Sequence, residues 1–274
     1  MTKLADLFRS IRRLKRSGLS NDMRRRILAT YIRLSFLQKG DPINNIADVL
    51  GYKIKFCTFF GLSYLFEEIF ISNEYHIVNL PKNAYIIDCG SNIGMSVLYF
   101  KILYPSSTVL AFEPDKDAFS CLEENIRVNN LQYTAPFNIA LTDIEGPIDF
   151  FYDKDHPGFL RMSVKQDRMP KDKTTVRSSP LSHYIDKNVD LLKMDIEGSE
   201  QEVIQELSNS GKLHFVKQMI IEYHHHIAID YDTLSVMLRQ LENAGFGYQL
   251  QSSLMRPLQP KQFQDILIYA YQKQ

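Results

Sequence analysis

The stretch Tyr85-Ile86-Ile87-Asp88-Cys89-Gly90-Ser91-Asn92-Ile93-Gly94 constrains the fold more than any other part of the chain. A short apolar run, of the kind that forms a strand buried on both faces, passes directly into a loop with two glycines, and a helical repeat follows to about residue 104. A strand-like run at 108–112, a helical pattern at about 117–130 and another strand near 134–141 continue the alternation. That rhythm requires right-handed crossovers and a parallel sheet clothed by helices. Strands near 189–194 and 215–222, each followed by a helical pattern (199–210 and 231–245), extend the sheet. Two closing runs, 247–251 and 264–271, imply an antiparallel edge. Residues 144–188 break the rhythm. Pro147, Pro157, Pro170 and Pro180 punctuate short strand-like pieces such as 148–152, which read as a hairpin-bearing insertion.

Open parallel sheets place ligands at the carboxyl ends of their strands, and three acids fall at such ends. Asp88 precedes Gly90 and Gly94 in a G-x-x-x-G loop, which lacks the G-x-G-x-x-G spacing of a pyrophosphate site. An acid here repels phosphate but suits a cationic amino group, which S-adenosylmethionine carries without any phosphate. Glu113, 25 residues further on in Ala111-Phe112-Glu113-Pro114, is placed to accept both ribose hydroxyls of a nucleoside. Asp143, after the third strand, is placed to accept from an adenine amino group. Each acid alone reads equally as a strand-end cap. Three in succession, the first with its glycine loop, point jointly to an adenosyl ligand.

The stretches IIDCGSNIG, VLAFEPD, an Asn-rich helix end, ALTDIEG and LLKMDIEGSE, in that order, resemble the FkbM family of S-adenosylmethionine-dependent O-methyltransferases over roughly residues 60–250. The glycine motif marks methyltransferases broadly, whereas AFEP with KMDIEGSE is specific to this family. The resemblance implies a class I (Rossmann-like) methyltransferase fold, an α/β architecture with a seven-stranded, mostly parallel sheet. It also implies S-adenosylmethionine as methyl donor and a hydroxyl acceptor on a sugar, glycan or natural product. By position, Asp88, Gly90, Ser91, Asn92, Gly94 and Glu113 match the cofactor set.

In Lys193-Met194-Asp195-Ile196-Glu197-Gly198-Ser199-Glu200, Asp195 falls where the transferred methyl would lie in such a fold. Asp195 and Glu197 are candidates for a general base or for ligands of a hard divalent ion. A buried strand offers few other reasons for an acid at 195. Glu200 reads as a favourable charge at a helix start. In Glu222-Tyr223-His224-His225-His226, an extended chain puts Glu222, His224 and His226 on one side. His224 is the preferred candidate to serve the site, with Glu222 beside it. Three adjacent histidines are not by themselves a metal spacing, and no metal ligand set is assigned.

Residues 1–40 hold eleven basic and two acidic side chains, a net charge of +9 in a chain whose total is zero. Apolar positions at 4, 7, 8, 11 and 14 mark a first helix, which Gly18 stops; a second spans about 22–38 before Gly40 and Asp41-Pro42. This basic arm, residues 1–50, offers a peripheral surface for anionic membrane or an acidic partner. In the competing reading its apolar stripe packs on the acidic body. Residues 51–83, with strand-like pieces at 53–56 and 76–78 around a helical 62–70, form a lid or preface, and 84–274 the methyltransferase domain. No apolar run reaches the ~18–20 residues of a membrane span, and no secretory signal stretch opens the chain. Cys57, Cys89 and Cys121 form no C-x-x-C pair and read as reduced thiols in a cytoplasmic protein. Two other functions compete: a nucleic-acid methyltransferase, which the basic arm favours and the lack of an N-P-P-Y or D-P-P-Y stretch opposes, and a lapsed cofactor-binding protein.

Overall fold

The structure, a computed structural model, describes residues 2–15, 17–37, 45–155, 158, 160–168, 172–227, 233–254 and 257–273. Gly40, Asp41, Pro42, Pro157, Pro170 and the expected helix start at 231 lie outside them. The chain opens with helices α1 (Thr2–Lys15) and α2 (Asn21–Ile32), the second widening into a π-helical turn to Leu37. Strands β1 (Ile46–Val49) and β2 (Tyr52–Lys55) form a hairpin, and α3 (Phe59–Phe66) continues as a π-helix to Ser72. Then follow β3 (Tyr85–Cys89), α4 (Met95–Leu103), β4 (Thr108–Phe112), α5 (Lys116–Val128), β5 (Thr134–Phe137), β6 (Ala140–Leu141), β7 (Gly146–Tyr152) and β8 (Asp172–Ser179). The chain closes with β9 (Leu191–Met194), α6 (Glu200–Asn209), β10 (Gln218–His225), α7 (Leu234–Asn243), β11 (Phe246–Ser252) and β12 (Gln264–Gln272).

Side chains that can substitute for a missing backbone partner begin these helices. Ser20 accepts from the Met23 N–H, Thr58 from Gly61 and Asp115 from Ala118. Seven strands form one sheet in the order β11-β12-β10-β9-β3-β4-β5. The run from β10 to β5 is parallel, and β12 lies antiparallel to both β10 and β11 at that edge. This is the class I methyltransferase sheet. Strand alternation divides the core between the two faces. Ile86, Val109 and Leu191 point into a cluster with α4 and α5, and Ile87, Cys89, Leu192 and Met194 into one with α6 and α7. The insertion builds a separate three-stranded sheet, β6-β8-β7.

Three local expectations are corrected. Residues 45–55 contain a hairpin whose first strand, β1, carries little periodicity of its own. Residues 76–78 are not a strand, because their backbone groups bond elsewhere: the His76 N–H closes a turn on the Asn73 carbonyl at 3.2 Å and Tyr104 Oη donates to the Ile77 carbonyl at 2.7 Å. The run at 134–141 splits. Asn138 Nδ2 turns back to the carbonyls of Glu113 (2.8 Å) and Pro114 (3.0 Å), the main-sheet strand ends at Phe137, and Ala140–Leu141 joins the insertion sheet instead.

The basic arm packs on the body. Leu14, Leu19, Ile27, Tyr31 and Leu34 share the cluster that holds Ile86 and α4. Arg13 reaches out of the arm to Ser72 Oγ (2.9 Å), whereas Arg26 and Arg33 bond within it, to the Leu50 carbonyl (2.7 Å) and Asp48 Oδ1 (3.0 Å). Phe8 faces outward, 66% exposed, against the expectation that it shares the stripe. Ile27→Ala is therefore expected to cost about 2–5 kcal/mol in a urea unfolding titration. Under about 1 kcal/mol would mean the arm adds little to the fold. Among the described residues no helix is long and apolar enough to cross a membrane.

Candidate active site

A cavity of about 400 Å³ opens at the carboxyl ends of β3, β4, β9 and β10. At one end lie Gly90, Ser91, Asn92, Phe112 and Glu113, and at the other Asp195, Glu197, Glu222 and His224. The glycine loop is folded by its neighbour strand: the N–H groups of Gly90 and Ser91 both donate to the Phe112 carbonyl, each at 2.9 Å. Gly90 has φ +80°, and a Cβ there would stand 1.8 Å from the Asp195 carbonyl oxygen. Only glycine lets the loops after β3 and β9 touch. Gly94 does not line the cavity; it starts α4, where a Cβ would meet Leu122 Cδ1 at 2.8 Å.

Glu113 is buried, its Oε2 accepting the Asn92 N–H and its Oε1 the Asp115 N–H, each at 2.8 Å. Burial and the Asp115 charge push its carboxyl up to about 8, against the pull of those two N–H groups. Each oxygen keeps a lone pair for a further donor. The glycine cradle, a carboxylate with two such sites and apolar walls from Phe112, Ile139 and Leu141 fit an adenosyl group.

Two other acids expected at the cofactor do not line the cavity. Asp88 is fully buried and absent from the cavity lining. Lys193 stands beside it across the parallel β3–β9 register, its Nζ 3.3 Å from Asp88 Oδ1, while Ser96 Oγ donates to Oδ2 at 2.5 Å. The carboxylate thus faces internal partners and not the cavity, Oδ1 through an ion pair without a hydrogen bond among the described residues. Lys193 Nζ also donates to the Gly90 carbonyl at 2.7 Å, so this pair sets the glycine loop. Burial works against the Lys193 charge, but Asp88 and Asp195 outweigh it and raise the pKa. Asp143 is exposed and absent from the lining, because it follows β6 in the insertion sheet and not the end of β5.

The acidic end gathers the four residues singled out there. His224, on a side chain 2% exposed, has Nδ1 2.9 Å from Glu200 Oε1; its Nε2 lies 3.2 Å from Glu197 Oε2 and 3.8 Å from Asp195 Oδ1. Burial disfavours the imidazolium, yet Glu197, Glu200 and Asp195 together raise its pKa well above 6.5. A titration near the ordinary histidine value is therefore not the expected one. Glu197 is pushed up to about 7 by burial, against His224 and Arg168. Glu222 Oε2 is buried with no hydrogen-bond partner. His226 leaves the strand at φ +61°, its Nδ1 3.0 Å from the Gln262 carbonyl oxygen, so it does not join its neighbours.

Sequence reasoning missed the residues that hold this end. Tyr75 from the lid segment brings its hydroxyl to 3.4 Å from Asp195 Oδ2. Arg168 reaches in from the insertion, donating to Glu197 Oε2 at 2.6 Å, and no motif marks it. Glu200 accepts the N–H groups of Ile196 (3.2 Å) and Gly198 (3.0 Å) besides holding His224. Lys193 was legible in principle, since a lysine in a buried strand needs an acid beside it. Glu68 and Glu74 complete the acidic wall, pushed up by burial and neighbouring acids to about 8 and about 7.

Glu68, Glu74, Glu113, Glu197 and His224 all hold protons more tightly folded than unfolded. The stability so gained is complete below the unfolded pKa values and is lost as pH rises through the folded ones. The thermal midpoint of the ligand-free protein is expected to fall from about pH 5 to about pH 8. A flat or rising midpoint would contradict these protonation states.

The family model described as Methyltransferase FkbM domain matches residues 88–248, which include both ends of the cavity. Methyltransferase 1 of Beauveria bassiana (strain ARSEF 2860) is 27% identical over 170 residues, covering 54% of this chain and 68% of that protein. Methyltransferase sdnD of Sordaria araneosa is 30% identical over 174 residues, covering 52% and 67%. The 31-O-demethyl-FK506 methyltransferase FkbM of Streptomyces tacrolimicus is 39% identical over 64 residues, covering 23% and 25%. With its sheet order and a domain match spanning more than half of its length, the chain belongs to the FkbM methyltransferase family.

Proposed function

We propose that the protein transfers the methyl group of S-adenosylmethionine to a hydroxyl of a sugar, glycan or natural product. The observation that carries this reading is the division of one cavity between Glu113 on one side of β3 and the Asp195–Glu197–Glu222–His224 group on the other. S-adenosylmethionine, when bound, supplies a methyl on a good leaving group, so the protein has to align the acceptor oxygen and receive its proton. Glu113 binds the ribose hydroxyls. Asp195 Oδ1, turned toward the cavity by Tyr75 and Lys193 on Oδ2, accepts the hydrogen of the acceptor hydroxyl. The charged lining holds six acids against three basic side chains and His224, which disfavours a polyanionic acceptor such as nucleic acid. The named relative from Streptomyces tacrolimicus, an O-methyltransferase by its name, supports a hydroxyl target.

Tritium-labelled methyl donor incubated with the protein and a fractionated lysate tests the reaction. Label in the glycan or small-molecule fraction is expected, and label in nucleic acid would overturn the acceptor class. For the donor site, Glu113→Ala is expected to weaken S-adenosylhomocysteine binding by about 1.5–3 kcal/mol in calorimetry. Unchanged affinity would remove Glu113 from the cofactor site.

A further inference from the structure

Asp195, Glu197 and His224 converge from the ends of two neighbouring parallel strands, one ligand atom of each within 4.8 Å of the others. Ligand atoms bound at about 2.1 Å to one ion stand about 3.0–3.5 Å apart, and here Nε2 lies 3.2 Å and 3.8 Å from the two carboxylate oxygens. Asp195 and His224 are each held from behind. Tyr75 and Lys193 face Asp195 Oδ2 and Glu200 takes the Nδ1 side of His224 at 2.9 Å, while Arg168 donates to Glu197 Oε2 itself, so an ion would share that oxygen with the guanidinium or take Oε1. A buried carboxylate on the far nitrogen is the support that directs a metal-binding imidazole, fixing which nitrogen presents its lone pair.

Two further observations concern the same end of the cavity. His224 Nε2, on a side chain 98% buried, faces the cavity with the carboxylates of Glu197 (3.2 Å) and Asp195 (3.8 Å) beside it. Glu222 Oε2, two residues earlier on β10, is also shut off from solvent without a partner. Glu222 offers a carboxylate oxygen within 4.8 Å of a ligand atom of His224 and one of Asp265, which makes a second, overlapping set. Among the described residues Arg168 pairs with Glu197 and Lys193 stands 3.8 Å from Asp195 Oδ2.

We propose that Asp195, Glu197 and His224, with Glu222 adjacent, bind a divalent first-row transition ion at the acceptor end of the cavity. One imidazole and two carboxylates form a mixed set that suits Mn²⁺ or Fe²⁺ better than the all-oxygen preference of Mg²⁺. Binding displaces the Nε2 proton to solvent and leaves His224 neutral. This inference rests on the reading of this end as the acceptor side. With Asp195 Oδ1 on the ion, an acceptor hydroxyl bound there would lose its proton more readily to solvent, and Asp195 would act through the ion and not as the proton acceptor.

The test uses Mn²⁺ as the probe on the full chain after EDTA treatment and dialysis, with the free Mn²⁺ electron paramagnetic resonance signal as the readout. One saturable site is expected, weakened at least tenfold in Asp195→Asn and about 10–100-fold in the supporting variant Glu200→Gln, with Glu123→Gln on the outer face of α5 unchanged. Circular dichroism identifies any variant that fails to fold, and the wild-type titration decides by itself. Absence of saturable binding by the wild type overturns the proposal, as does equal affinity in folded Asp195→Asn. Methyl transfer at full rate in excess EDTA would also overturn it while leaving the methyltransferase reading intact. A Mn²⁺ site without label transfer would support the ion and count against the acceptor reading.

Discussion

Asp195→Asn is expected to lower turnover by about 10²–10⁴-fold, the loss typical of a removed proton acceptor, while affinity for S-adenosylhomocysteine stays within about threefold. The split follows from position. Asp195 lies at the end of β9, across β3 from Glu113, and Glu113 makes its backbone bonds to Asn92 and Asp115 without Asp195. The substitution is nearly isosteric, so Tyr75 and Lys193 keep a partner and the loop against Gly90 is retained. Steady-state kinetics with the identified acceptor and calorimetry with the product analogue measure the two effects separately. Turnover that survives within tenfold would remove Asp195 from the chemistry, and parallel losses in both would make it part of the donor site.

Lys193→Met is expected to destabilise the protein by about 3–5 kcal/mol, because it leaves the Asp88 carboxylate buried without a counter-charge. Asp88 is 0% and Lys193 2% exposed, so water cannot substitute for the lost ammonium. Replacing both partners, Lys193→Met with Asp88→Asn, is expected to recover much of the loss, since the charge that requires compensation is gone. Urea unfolding of the two singles and the double measures the coupling. Additive losses would show that the 3.3 Å ion pair is not the source of the effect. The Gly90 carbonyl loses its donor in either background, so donor binding is expected to weaken even where stability returns.

These two residues also show where reading along the chain stops. The run from Tyr85 to Gly94 is enough to place a strand, a turn and a helix start, since each depends on neighbours a few positions away. Asp88 looked like a ligand for a cofactor amino group from that run alone. Its actual partner sits 105 positions later and becomes its neighbour only through the β3–β9 register. Asp143 failed for a related reason: one asparagine, Asn138, turns back onto the Glu113 and Pro114 carbonyls and sends the following residues to another sheet. Glu113, by contrast, was legible, because an acid at the end of the second parallel strand needs no distant residue to reach the cavity.

The acidic end divides the same way. KMDIEGSE and EYHHH each announce polar residues at strand ends, and alternation correctly paired Glu222 with His224 while the strand lasted. The strand period could not show that His224 is flanked by Glu197, Glu200 and Asp195 at once, nor that its proton is therefore held well above the usual range. Arg168 and Tyr75 come from an insertion and a lid segment that carry no periodic signal, and of the two readings of the basic arm the packed one holds, since it shares a core with α4. Local hydrophobic periodicity and turn chemistry determined which elements exist and which strand ends carry chemistry. Burial and charge partnership across neighbouring strands, which arise only when the sheet assembles, decided which of those acids face the cavity and in what protonation state.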